Sequence, residues 1–188
     1  MIIMKEMIGV DSLIRWSEII EKPILNIGNK HTLALAYDVV LKKNSNEILG
    51  FVWRKKMLKK EFGIILFNDL LLKTKDGLFI KSSKVSKDFD YNNRIYYGLS
   101  YNNNFSNKIV LNRDGELIGI VRDILLDLDR GYFQSFEFSE GYIDDIITGK
   151  KLVMAGSGYK LDSDAITILH NEIIEEQGRG LLNLGRLN

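Results

Sequence analysis

The sequence predicts a mainly all-β protein: two tandem small units, each a barrel or a sandwich, with short helical segments. Three observations carry that expectation. The chain contains one unit twice. Within each unit, short β-branched and aromatic runs recur about every ten residues between polar turns, the rhythm of a small barrel or sandwich. The turns are built from Gly, Asn and Asp. There are 16 glycines and a single proline, Pro23, in 188 residues, as where strands are joined by tight hairpins.

The repeat appears when "PILNIGNKHTLALAYDVVLKKNSNEILGFVW" (23–53) is set over "KIVLNRDGELIGIVRDILLDLDRGYFQSFEF" (108–138). The offset is 85 without a gap. It places Ile24 on Ile109, Leu33 on Ile118, Asp38 on Asp123, Leu41 on Leu126 and Phe51 on Phe136. Two residues are then gained, and "IILFNDLLLKTKDGLFIK" (64–81) lies more loosely over "KLVMAGSGYKLDSDAITI" (151–168) at offset 87. A unit of this size is small for a lone core, so the two are expected to pack together.

The elements follow in order. "SLIRWSEIIEKP" (12–23) has helical spacing at Leu13, Trp16, Ile19 and Ile20, with Pro23 to end it. "LALAYDVVLK" and "EILGFVW" read as two strands of the first copy, "LIGIVRDILLD" and "YFQSFEF" as their counterparts. Leu128-Asp129-Arg130-Gly131 is a turn with Gly131 left-handed. Gly115 supplies the turn before it, where the first copy has Lys30, and Asn44-Ser45-Asn46 stands in place of Asp129-Arg130-Gly131. The first two turns of that copy are therefore expected to differ in shape. Asp76-Gly77 and Asp162-Ser163-Asp164 mark a closing hairpin in each copy. "YIDDIITGKK" (142–151) reads as a short helix, with Asp144 and Asp145 in its first turn and Gly149 at its end. After His170, "NEIIEEQGRGLLNLGRLN" reads as a helical turn and a Gly-broken tail. The domain expectation is a first repeat at 12–86, a linker at 87–106, a second repeat at 107–170 and a tail at 171–188.

Composition narrows the function classes. With no cysteine there are no disulfides, thiolate metal sites or cysteine nucleophiles. No apolar run approaches the roughly 20 residues of a membrane helix, and "MIIMKEMIGV" lacks the features of a signal peptide. A cytoplasmic protein without a membrane span is expected.

The lead-in "RWSEIIEKPIL", the block "NRDGELIGIVRDILLDLDRGYFQSFEF" and the closing strand "DAITI" resemble the PRC-barrel family. The chain looks like a tandem member of the bacterial stand-alone type, over about residues 12–170. The resemblance implies a small, mostly antiparallel β-barrel. That module is shared by the reaction-centre H subunit of photosynthetic bacteria and by the C-terminal domain of a ribosome maturation factor. It implies no shared catalytic centre and no cofactor, and members that dock on other macromolecules.

Candidate chemistry is weighed against that frame. Asp123, Leu125 and Asp127 fall on one strand face and Ile124, Leu126 and Leu128 on the other. A calcium loop begun at Asp127 would need oxygen ligands where Gly131 and Phe138 stand, so the motif fails. Asp38 and Asp123 recur in both copies and are expected to serve the strand framework, with Gly115 and Gly131 serving turns. Asp127 and Asp129 are expected to form part of an acidic surface. His31 and His170 lack paired spacing for zinc. "AGSGY" (155–159) lacks both the Walker lysine and the Gly-x-Ser-x-Gly frame, and "GRGLLNLGR" has no strand before its glycines. Phe51, Trp53, Phe67, Phe79, Phe136 and Phe138 are expected in the core.

Charge is the sharper signal. The net of +1 conceals a division: residues 22–90 hold 14 Lys/Arg against 7 Asp/Glu, and residues 107–175 hold 7 against 13. Arg54, Lys55, Lys56, Lys59 and Lys60 place five cations within seven positions. Such a run can guard an exposed sheet edge or meet an acidic partner, RNA phosphate included. The expectation is a non-enzymatic adaptor that binds another protein or a ribonucleoprotein. The alternative is a ribosome- or RNA-associated maturation-type factor using segment 54–60 in direct RNA contact. Homo-oligomers, basic half on acidic half, are a further expectation.

Overall fold

The structure, a computed structural model, describes residues 13–55, 61–74, 76–81, 98–141, 150–169 and 173–175. Residues 142–149 of the helix expected at 142–151, and the cations Lys56, Lys59 and Lys60, lie outside these residues, while Lys151 at its end begins a strand. Contacts divide the chain into two units. One comprises residues 14–103 with 126–133, the other 1–13, 104–125 and 134–188.

Residues 13–23 do not form the helix expected over 12–23. Leu13–Arg15 is a strand, β1, and Trp16–Glu18 a single 3-10 turn. The Arg15 amide donates to the Glu18 carboxylate at 3.1 Å, which closes the turn. Glu21 then adopts φ +65°. The chain is drawn into pairing, with the Glu21 N–H donating to the Ala36 carbonyl and the Ala36 N–H to the Lys22 carbonyl. Sheet pairing to a distant strand overrides the helical spacing, as tertiary context does over weak local propensity.

The first unit holds β2 (Pro23–Asn26), β3 (Thr32–Leu41), β4 (Ile48–Arg54), β5 (Phe62–Leu66), β6 (Leu70–Thr74), β7 (Gly77–Ile80) and β8 (Leu99–Ser100). Its sheet runs β5-β4-β3-β2-β7-β6, with β8 also paired to β3. All neighbours are antiparallel except β2 and β7. Trp16 and Phe51 stack in the core with ring centroids 6.1 Å apart. Ile24, Val39, Trp53, Ile65, Leu78 and Ile80 are sealed around them.

The second sheet is built from β9 (Ile109–Leu111), β10 (Leu117–Asp127), β11 (Tyr132–Ser139), β12 (Lys151–Met154), β13 (Tyr159–Leu161), β14 (Ala165–Ile168) and β15 (Ile173–Glu175). It runs β15-β12-β11-β10-β9-β14-β13. From β12 to β13 this repeats the order from β5 to β6, strand for strand. The parallel pair, here β9 and β14, falls at the same place. Both sheets curl into half-barrels, and the fold is all-β. Phe105, Phe136 and Tyr159 form the aromatic core of the second unit, with centroids 4.9 to 6.3 Å apart. The segment after His170 contributes a strand, not a helical turn: Ile174 pairs with Leu152 across β15 and β12.

The registers refine the repeat. Ile24 lies opposite Ala34 and beside Leu78. Val110 lies opposite Gly119 and beside Ile166. Ile24 and Val110 are both buried, while Ile109 is 38% exposed. The counterpart of Ile24 is thus Val110, not Ile109. The first-copy turn is one residue longer, running from the Asn26 N–H to the His31 carbonyl, where the second runs from Asn112 to Glu116. Further on, Phe51 faces Ile65 and Phe136 faces Val153, so the gain before the closing strands is three residues, not two.

Candidate docking surface and the repeated aspartates

Asp38 is fully buried in β3. Its Oδ1 accepts from the Val39 N–H at 2.8 Å and from the Asn102 N–H at 3.2 Å. The Asn102 side chain returns a bond to the Tyr37 carbonyl at 3.1 Å. Asp38 thereby anchors the one-turn helix Tyr101–Asn104, which follows β8. Asp123, 4% exposed in β10, makes the same bond to its own successor, Oδ1 accepting from the Ile124 N–H at 2.8 Å. Both carboxylates occupy backbone amides, the geometry of a strand irregularity tied down by a side chain. In β3 the register shifts between Ala36 and Asp38.

Asp127 does not belong to an acidic surface: it is 1% exposed. Its Oδ1 accepts from the Asp129 N–H at 3.1 Å and the Arg130 N–H at 2.9 Å, while its carbonyl accepts from the Gly131 N–H at 2.8 Å. The strand Asp123–Asp127 is buried on both faces, so alternation did not expose this side chain. Asp129 is exposed.

Gly131 has φ +79°, and a Cβ there would lie 2.6 Å from the Phe67 ring. Gly115 has φ +83° with open space around it. In the first copy Lys30 and Asn44 take the left-handed conformation, at φ +56° and +58°.

Arg54 and Lys55 each meet an acid. Arg54 pairs with Glu21 at 2.6 Å and lies over the Tyr37 ring, and Lys55 pairs with Glu61 at 2.9 Å beside the Trp53 ring. The basic run of the sequence is therefore partly neutralised where β4 ends and β5 begins.

The structure also brings together residues that nothing in the sequence associates. A cleft of about 240 Å³ is lined by Lys42, Glu47, Leu66, Phe67, Arg130 and Tyr132, among others. The turn after β3 and the turn after β10 meet here. The Ile48 N–H donates to the Gly131 carbonyl at 2.8 Å and the Phe133 N–H to the Asn46 carbonyl at 2.7 Å. A hydrogen bond from Lys42, together with its charge, holds the Glu47 carboxyl below the ordinary glutamate value. The sequence signal was the alignment of the two turns, which says nothing of their meeting.

Of the aromatics expected in the core, Phe51, Trp53, Phe136 and Phe138 are buried, whereas Phe67 and Phe79 are half-buried. "AGSGY" is a 3-10 turn, Ala155–Ser157, that leads through Gly158 into β13. Among the described residues no group of three or more His, Cys, Asp or Glu is placed to hold a metal ion. No helix among them is long and apolar enough to cross a membrane.

The parallel β9–β14 pair between antiparallel neighbours, closed by the β13–β14 hairpin, lies within a stretch that matches a known family. Residues 98–172 are a PRC-barrel domain. No curated protein matches the chain. PRC-barrel domains are small β-barrel modules, generally non-catalytic and often engaged in protein interaction. The matched PRC-barrel segment starts ahead of β9, so it includes β8 and the helix that Asp38 anchors.

Proposed function

We propose that the chain is a non-catalytic cytoplasmic adaptor made of two PRC-barrel modules, at 12–86 and 107–170, and that the first presents a basic docking face to an acidic protein partner. The observation that carries this reading is one strand order used twice with opposite charge. The β5-to-β6 order of the first unit is that of β12 to β13 in the matched PRC-barrel domain. Over residues 22–90 cations exceed acids by seven, and over residues 107–175 acids exceed cations by six. A duplicated framework whose surfaces diverge in sign suits two different neighbours better than one shared reaction, since complementary charge steers and selects partners. Arg54, Lys55, Lys56, Lys59 and Lys60 form the densest part of the basic face.

The test compares the full chain with Lys55→Glu plus Lys59→Glu in affinity capture from native lysate, read by mass spectrometry at low and high salt. Capture of an acidic protein that weakens with salt and is lost on charge reversal is expected. Capture unchanged by the reversal overturns the docking face. Nuclease-sensitive capture of ribosomal proteins moves the reading to an RNA-associated factor. Self-association of the free chain, abolished by the reversal, makes the acidic partner a second copy.

A further inference from the structure

The first unit holds more than the first repeat. It also takes in residues 98–103 and 126–133, which lie inside the matched PRC-barrel segment 98–172. Each piece has a counterpart at the repeat's offset of 85. Leu13–Arg15, which is β1, falls on Gly98–Ser100, whose last two residues are β8, and the buried Trp16 falls on the buried Tyr101. A very short strand followed by a single helical turn thus leads into each repeat.

Each lead-in strand joins the sheet of the other repeat. β8 pairs with β3, Ser100 opposite Val40 and Leu99 opposite Leu41, while β1 pairs with β10. Gly98 approaches β3 so closely that a Cβ there would collide with the Leu41 carbonyl oxygen. Asn102 continues the attachment through its bonds to Asp38 and to the Tyr37 carbonyl. The turns follow the same rule. The Ile48 N–H donates to Gly131 and the Phe133 N–H to Asn46, and the offset of 85 sets Phe133 over Ile48 and Gly131 over Asn46. Each contact is made once in each direction, the pattern of an isologous pairing between two copies, here within one chain.

We propose that this exchange of lead-in strands couples the two repeats, which fold and unfold as one cooperative unit. Continuity of the long strands reinforces it: β10 gives residues 117–125 to one unit and 126–127 to the other, and β11 divides between 133 and 134. Loss of either sheet strips the pairing partner from a strand that opens the other repeat, so neither transition is independent. A partner bound to one module then stabilises both. The inference is separate from the docking face and stands whatever the partner is.

Urea unfolding of the full chain tests it, read by tryptophan fluorescence and by pulsed hydrogen exchange of segments 117–125 and 151–154. The two tryptophans, Trp16 and Trp53, belong to the first unit and those segments to the other. Coincident midpoints are expected. Ile166→Ala truncates a fully buried side chain of β14 and is expected to lower both midpoints equally; Ile166→Val takes its place should alanine abolish folding. Gly98→Ala is expected to lower the fluorescence midpoint, although Gly98 leads into the second repeat. Should that variant not fold, Asn102→Ala, which removes the bond to the Tyr37 carbonyl, carries the same expectation. Two separate transitions, or a fall in the exchange midpoint of the Ile166 variant that fluorescence does not follow, overturn the cooperative unit. A fluorescence midpoint unmoved by the change at Gly98 or Asn102 overturns the exchange of strands.

Discussion

Asp38→Ala is expected to destabilise the first unit by about 3 kcal/mol. The carboxylate is fully buried and accepts the N–H groups of Val39 and Asn102. Truncation leaves both donors without that acceptor, at roughly 1–3 kcal/mol for each one left unsatisfied. Removing a buried charge returns part of its desolvation cost, so the net lies below the sum. In a chain of this length the loss corresponds to a fall in Tm of about 6–12 °C. Asp38→Asn retains Oδ1 and is expected to lose about 1 kcal/mol, the difference between charged and neutral acceptors. Both tryptophans, Trp16 and Trp53, lie in this unit's core, so fluorescence-detected urea unfolding reports on it directly. A loss below about 0.5 kcal/mol for alanine would refute the anchoring role. Asparagine proving as damaging as alanine would refute it in another way, by showing that charge and not backbone satisfaction matters. Partner binding lost at unchanged stability would make Asp38 a binding residue instead.

Two further expectations rest on single residues. Gly131→Ala combines a left-handed φ with a Cβ 2.6 Å from the Phe67 ring, whereas Gly115→Ala meets the left-handed φ alone. The first should cost about 2 kcal/mol or more and the second about 1 kcal/mol in thermal unfolding, and equal costs would remove the Phe67 contact from the account. Burial raises the Tyr159 phenol above its ordinary value, so the folded state favours its neutral form. Its contribution to stability is full below the unfolded pKa of about 10 and is lost as pH rises through the folded value. Ultraviolet titration should show a late-ionising tyrosine that Tyr159→Phe abolishes, and an unchanged titration curve in that variant would contradict the burial.

The long strands were legible because β-branched runs such as "LALAYDVV" and "LIGIVRDILL" carry their own local preference. The turns were legible because Asp and Gly impose theirs. What failed depended on partners distant in sequence. Leu13, Trp16 and Ile19 fit a helical stripe, but Glu21 and Lys22 bond to Ala36 and the chain leaves the helix. Ile173-Ile174 had no local cue toward a strand until β12 gave them a ladder. Asp127 looked exposed because strand alternation presumes one wet face, and this stretch of β10 has none. The basic run was legible as charge. The acids that take up Arg54 and Lys55, Glu21 and Glu61, were visible only as unrelated letters.

The two sheets share a path and differ in what covers it. Val40, Val52 and Ile64 form one apolar cluster with Tyr37, Leu49 and Phe62. The offset of 85 sets Leu125 and Glu137 at the sites of Val40 and Val52, and Glu137 pairs with Leu152 as Val52 pairs with Ile64. Glu137 is fully buried and bound to Lys150 at 2.5 Å. Lys150 is 42% exposed, so the pair satisfies the buried carboxylate while its cation stays in water, and Val52 and Glu137 hold equivalent places without altering the path. Strand order follows the apolar ladder of β2, β3, β4 and β7 and its counterpart. At these matched sites the copies therefore diverge in charge while the strand path stays the same.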